Sequence, residues 1–183
     1  KTLPIISNYY SEIGANKSLY KAFKRLKKSN LNKQQKHIVK DSLKGFELSG
    51  VGLEGEHSDR FKAIQEQLSV LSNQFSKNVL QATNSWKKTV SIDDLKGYGE
   101  AEISKVKVGD EYVINLQIPV YIDLMTYAEN RELREEVYRA YISRASDIGI
   151  TPKEFDNRNI MNEILELRLE LSKLLGLSNY AEY

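Results

Sequence analysis

The sequence contains no cysteine, which excludes disulfides, thiolate metal sites and cysteine nucleophiles and suits a reducing compartment. A cytoplasmic location is therefore expected. Histidine occurs only at His37 and His57, and neither belongs to a His-Glu-x-x-His helix, in which imidazoles one turn apart hold a metal. Only three prolines and ten glycines interrupt the 183 residues, so most of the chain is free to form helix. No apolar run approaches the roughly 18 residues needed to cross a bilayer. With a mean hydropathy of −0.50, the chain reads as soluble, with no membrane partner.

A chain of this length, 40% hydrophobic, can bury roughly two-thirds of its unfolded surface, so a single helical domain over residues 1–183 is expected. The net charge of +2 is unevenly spread. Residues 1–40 carry ten Lys or Arg against the single acid Glu12, which makes this stretch +9 and leaves −7 for the rest. Such a segment reads first as a lysine-rich solvated helix and second as a polyanion-binding face.

Apolar residues recur every three or four positions, giving a mainly α fold of long bundled helices. Helices are predicted from Pro4 to about Ile13, Asn16 to about Lys28, and Asn32 to Leu48, the last opened by a capping box of Asn32 and Gln35. The longest spans Glu56 to Trp86, with Phe61, Ile64, Leu68, Leu71, Phe75, Val79, Ala82 and Trp86 on one stripe. Full burial of six such side chains would contribute on the order of 10 kcal/mol before entropy. A small β insertion is expected at about 88–118, built from Thr89–Ile92 and Tyr112–Ile118 with short helical turns between them. Pro119 starts a helical region that pauses near Glu129–Asn130 and resumes through Leu133 to Ile142. A last complete helix carries Ile160 to Leu174 and stops at Gly176. Beyond it, Ser178 or Asn179 would cap a helix cut off in its first turn, and the start at Lys1-Thr2-Leu3-Pro4 is as abrupt, so excision from a longer chain is expected.

No catalytic constellation can be assembled from these residues. His37 with Asp41, and His57 with Asp59, each offer at most two ligands, whereas zinc normally takes at least three, so both histidines read as surface residues. The adjacent carboxylates Asp93-Asp94 and Glu135-Glu136 point in different directions and read as solvated. Gly50-x-Gly52 lacks the later glycines and lysine of a phosphate loop and reads as a helix stop. We therefore expect no catalytic, cofactor-binding or metal-binding residue in the chain.

Longer stretches carry more information. Leu3–Ser7 with Tyr9-Tyr10, Leu19–Ala22, Phe46–Leu53, Leu71–Ser76, Asn78–Thr83, Met125–Ala128, Leu133–Tyr141, Arg144–Asp147 and Leu174–Ala181 resemble, in order, the oligopeptidase A, thimet-oligopeptidase-like family of zinc metallopeptidases. The resemblance covers essentially the whole chain. It implies part of a two-lobed helical fold flanking a narrow channel, upstream of the zinc helix. It further implies a parent enzyme that hydrolyses short peptides with a zinc-activated water, a cofactor this segment would not hold. The partners so implied are short peptides and the remainder of the same polypeptide. Two other readings compete: a helical protein-interaction module without enzymatic activity, and a nucleic-acid contact over Lys17–Lys28 with Tyr20 and Phe23 as stacking groups. Helical spacing places both aromatics on the apolar stripe with Leu19 and Leu26, so no nucleic-acid partner is expected.

Overall fold

In a computed structural model, the structure describes residues 9–10 and 12–183. The chain divides into two compact units: residues 1–68 with 164–183, and residues 69–163. The predicted first helix is described only at residues 9–10 and 12–14, which are helical; its residues 4–8 and 11 lie outside the described residues.

The first unit holds α1 (Lys17–Leu26) and α2 (Lys33–Leu48), both begun by asparagine caps. Asn16 Oδ1 accepts from Leu19 N at 2.9 Å, and Asn32 and Gln35 form the expected reciprocal capping box. Tyr20 and Phe23 pack on Phe46, with ring centroids 5.8 and 5.6 Å away. Val39, Leu43 and Phe46 are the buried residues of α2. The chain then turns at Gly50, whose φ of +75° and approach to the Phe61 ring leave little space for a Cβ, 3.1 Å from that ring. From there runs α3 (Gly55–Ser85), 31 residues long. Its counterpart near the end of the chain is α7 (Arg158–Leu174), which buries Leu167 and Leu171. Arg60 on α3 grips Glu170 on α7 in a bidentate pair, Nε and Nη2 donating to separate carboxylate oxygens at 2.6 Å each.

The predicted stripe on α3 is present, but its burial is uneven. Phe61, Ile64 and Ala82 are buried, whereas Leu68, Leu71, Phe75, Val79 and Trp86 are only half-buried. The middle of the longest helix is thus packed less tightly than its periodicity suggests. Periodicity reports which residues share a face, not how much of that face is covered.

The second unit is built on a sheet. Strands β1 (Lys87–Val90), β2 (Lys107–Val108) and β3 (Glu111–Asn115) pair antiparallel in the order β1-β3-β2, with Val90 opposite Tyr112 and Val108 opposite Glu111. The expected strand pair therefore gains a third, two-residue member, joined to β3 by the tight turn at Gly109-Asp110. β1 begins and ends two residues earlier than predicted. Asp94 explains this, because its carboxylate accepts from Ser91 N and Oγ at 3.0 and 2.8 Å and folds the chain into a 3-10 turn at Asp93–Leu95. β3 also ends early. Asn115 Oδ1 accepts from Gln117 N at 2.9 Å, and Pro119 sits in the first turn of α5 (Ile118–Tyr127), where its missing N–H is harmless.

Between β1 and β2 lies the short α4 (Glu100–Val106). After α5 the chain pauses at Ala128–Asn130, as the sequence indicates, before α6 (Arg131–Ile142). Gly97 reaches against this pause: with φ at +98°, a Cβ there would stand 2.1 Å from the Tyr127 carbonyl oxygen. The core of this unit comprises Val90, Leu95, Val106, Ile114, Leu116, Val120, Leu124, Ala128, Leu133, Val137 and Ala140. Among the described residues no helix is long and apolar enough to cross a membrane.

Candidate functional site

His37 lies on α2, exposed, with Nε2 3.2 Å from Asp41 Oδ2 one turn on. His57 is exposed in the first turn of α3. The two stand on different helices, and among the described residues no three His, Cys, Asp or Glu side chains converge as a metal ligand set. Among the described residues, the two histidines therefore share no ligand set of the kind zinc takes.

Two open depressions are formed by described residues. One, of ≈310 Å³, lies in the first unit and carries the Lys17–Glu54 pair, 2.7 Å apart, beside Asp59 and Lys62. That lysine holds the Glu54 carboxyl below its usual range through its hydrogen bond and charge. The other, of ≈530 Å³, lies in the second unit between Met125 and the α6 residues Arg131, Arg134, Glu135 and Tyr138. Arg134 is already turned to the Ala128 carbonyl, and Glu135 accepts from Arg139. Neither depression pairs a nucleophile with a base.

Comparison with known proteins decides the family. Residues 124–183 match Peptidase family M3, and residues 3–58 match the Neurolysin/Thimet oligopeptidase, N-terminal domain. The chain is 44% identical to Oligopeptidase A of Escherichia coli (strain K12) over 192 residues, covering 99% of this chain and 28% of that protein. This chain is an oligopeptidase-A-like member of peptidase family M3. Oligopeptidase A of Haemophilus influenzae is 43% identical over 98% of the chain and 28% of its own length. The Probable cytosolic oligopeptidase A of Arabidopsis thaliana is 38% identical over 93% of the chain and 26% of its own length. The chain thus spans little more than a quarter of these relatives.

Within this M3 chain, three of the four carboxylates that the sequence suggests are solvated make polar contacts at the surface, and the fourth, Asp93, is exposed. Asp94 binds Ser91 and also accepts from Asn130 Nδ2 at 3.0 Å, tying the end of β1 to the cap of α6. Glu136 pairs with Lys88 of β1, and Glu135 with Arg139. The segment Tyr138–Asp147, part of the stretches that carry the resemblance, builds a stack that spacing alone does not reveal. Tyr121 of α5 lies 3.8 Å from Tyr141, and the Arg144 guanidinium sits 3.6 Å from the centre of the Tyr141 ring. Nearby in the fold, burial pushes the Tyr98 phenol up to about 12, with the charges of Asp123 and Glu102 adding to the effect.

Proposed function

We propose that this chain forms scaffold and channel wall of a zinc metallo-oligopeptidase that hydrolyses short peptides, and that it supplies none of the metal ligands or catalytic groups. The observation that carries this reading is 44% identity along 99% of the chain to a protein named Oligopeptidase A, of which only 28% is matched. The two exposed histidines, on separate helices, support placing zinc and its ligands in the remainder of the parent polypeptide. Short peptides are then the parent's substrates. The remainder of the same polypeptide is the partner of this segment, and exposed Ile118 and Ile122 on α5, with Ile148 at 83% exposure, suit burial against it. The cytosolic plant relative and the absence of cysteine support a cytoplasmic location.

The test is metal content and turnover. After dialysis against zinc, the 183-residue chain should retain no stoichiometric metal and should not cleave a quenched short peptide that the longer parent cleaves. Chelator-sensitive turnover by the chain, abolished by His37→Ala or His57→Ala, would refute the reading.

A further inference from the structure

We propose that the α1–α2 hairpin is a docking face for short acidic peptides, an inference that rests on the peptidase reading above. On α1, Lys17, Lys21 and Lys24 fall on one face, and Lys28 continues their row into the turn that follows. On α2, Lys33, Lys36, Lys40 and Lys44 form a second row, and Glu47 occupies its next place. All eight lysines are exposed.

The rows lie on the same side of the hairpin. Lys24 Nζ stands 4.4 Å from the centre of the Tyr20 ring, and the Tyr20 hydroxyl donates to Glu47 Oε1 at 2.8 Å. That bridge joins the edge of the first row to the end of the second. Phe23 and Phe46, in contact beside it, mark the opposite, apolar side of both helices.

Little negative charge offsets this face. Against the eight lysines stand Asp41, Glu47 and Glu54: Glu54 is paired with Lys17, while Asp41, beside His37, and Glu47, which accepts from the Tyr20 hydroxyl, keep their charge. Lys21, Lys24, Lys28, Lys33, Lys36, Lys40 and Lys44 make no ion pair among the described residues. A row spanning Lys33 to Lys44 is about 16 Å long at the helical rise. An extended peptide of about five residues has the same reach. The ligand class follows from what the face lacks. Sites for single-stranded nucleic acid add aromatic platforms for bases to lysine charge, and here Tyr20 and Phe23 are packed on Phe46, with the tyrosine hydroxyl engaged as well. What remains is a field of ammonium point charges, which concentrates flexible carboxylate-rich peptides without reading their sequence.

The experiment titrates the 183-residue chain into fluorescently labelled pentaglutamate and follows anisotropy. Pentalysine, an oligothymidylate of equal charge and anionic lipid vesicles serve as comparisons. Binding is expected at about 0.01 M salt, where fields reach about 30 Å, and should fade above about 0.1 M, where they reach about 10 Å. The variant Lys24→Gln/Lys36→Gln/Lys40→Gln should bind pentaglutamate about tenfold more weakly. The variant Lys77→Gln/Lys153→Gln/Lys173→Gln removes the same charge from exposed sites elsewhere and should bind as the parent chain does. All six lysines are exposed, so circular dichroism and melting should match across the three proteins. Equal weakening by both variants, absence of binding at low salt, or tighter binding of the oligonucleotide or vesicles would overturn the proposal. No hydrolysis enters the readout, so these outcomes leave the metal and turnover test of the peptidase reading untouched.

Discussion

Asn157, 1% exposed, occupies a position where a side-chain amide must both give and receive. Its Oδ1 accepts from Asn78 Nδ2 at 2.9 Å, its Nδ2 donates to the Phe75 carbonyl at 3.1 Å, and its backbone N donates to the Ala145 carbonyl at 2.9 Å. Together these bonds hold α3 and the start of α7 around Ala145, which sits at a φ of +51°. Asn157→Ala should cost about 2 kcal/mol in urea unfolding, since it orphans the buried Asn78 amide. Asn157→Asp should cost more than Asn157→Ala, because a carboxylate cannot donate to Phe75. Asp94 works differently, at the surface. Hydrogen bonds from the Ser91 backbone, the Ser91 hydroxyl and Asn130 hold its carboxyl below the usual range against burial, helped by the charge of Lys88. A carboxyl depressed in the folded state contributes stability that is present above its unfolded pKa of about 4 and is lost as pH falls through the lower folded value. The melting temperature should therefore hold from neutral pH to about pH 5 and decline below about pH 4. Asp94→Asn should melt lower at neutral pH and show a shallower acid decline.

At the scale of elements, α3 shows what periodicity can and cannot tell. Ile64 is fully buried, Leu68 one turn on is half-buried, and Gln67 is exposed. Thermal or urea unfolding should rank Ile64→Asp as the most damaging substitution, above about 4 kcal/mol, with Leu68→Asp intermediate and Gln67→Asp near about 0.5 kcal/mol. A sequence reading alone treats Ile64 and Leu68 alike, because both lie on the stripe. The helices were legible for the same reason: caps at Asn16, Asn32 and Asn130 and apolar spacing are local signals. The sheet was legible only in outline. β2 is two residues long, too short to carry a period, and the end of β1 depends on Asp94, which belongs to the turn rather than the strand. The lysine face was half visible. Each row can be read from its own helix, but their alignment depends on Tyr20 meeting Glu47, 27 residues away, and no spacing rule reports that contact. The Tyr121–Tyr141–Arg144 stack was hidden for the same reason, being assembled from α5 and the end of α6.

At the scale of the whole molecule, the boundary between the two compact units falls inside α3 and inside α7, since residues 69 and 164 are interior to those helices. Breaking a helix between turns gives up hydrogen bonds and packing together, so we expect the chain to unfold as one cooperative domain. Trp86, the only tryptophan, belongs to the second unit, and its fluorescence should change in parallel with far-ultraviolet circular dichroism along a denaturant titration. Separated midpoints would show two folding domains. The order β1-β3-β2 has a consequence of another kind. It places the longest strand in the centre and leaves as edges a four-residue strand carrying Lys87 and Lys88 and a two-residue strand. Unpaired edges are where sheets of neighbouring molecules add to one another, and short edges bearing lysine resist that addition. Any association of this chain at high concentration should therefore run through helical faces and leave no fibrillar, cross-β material, despite its β-rich insertion.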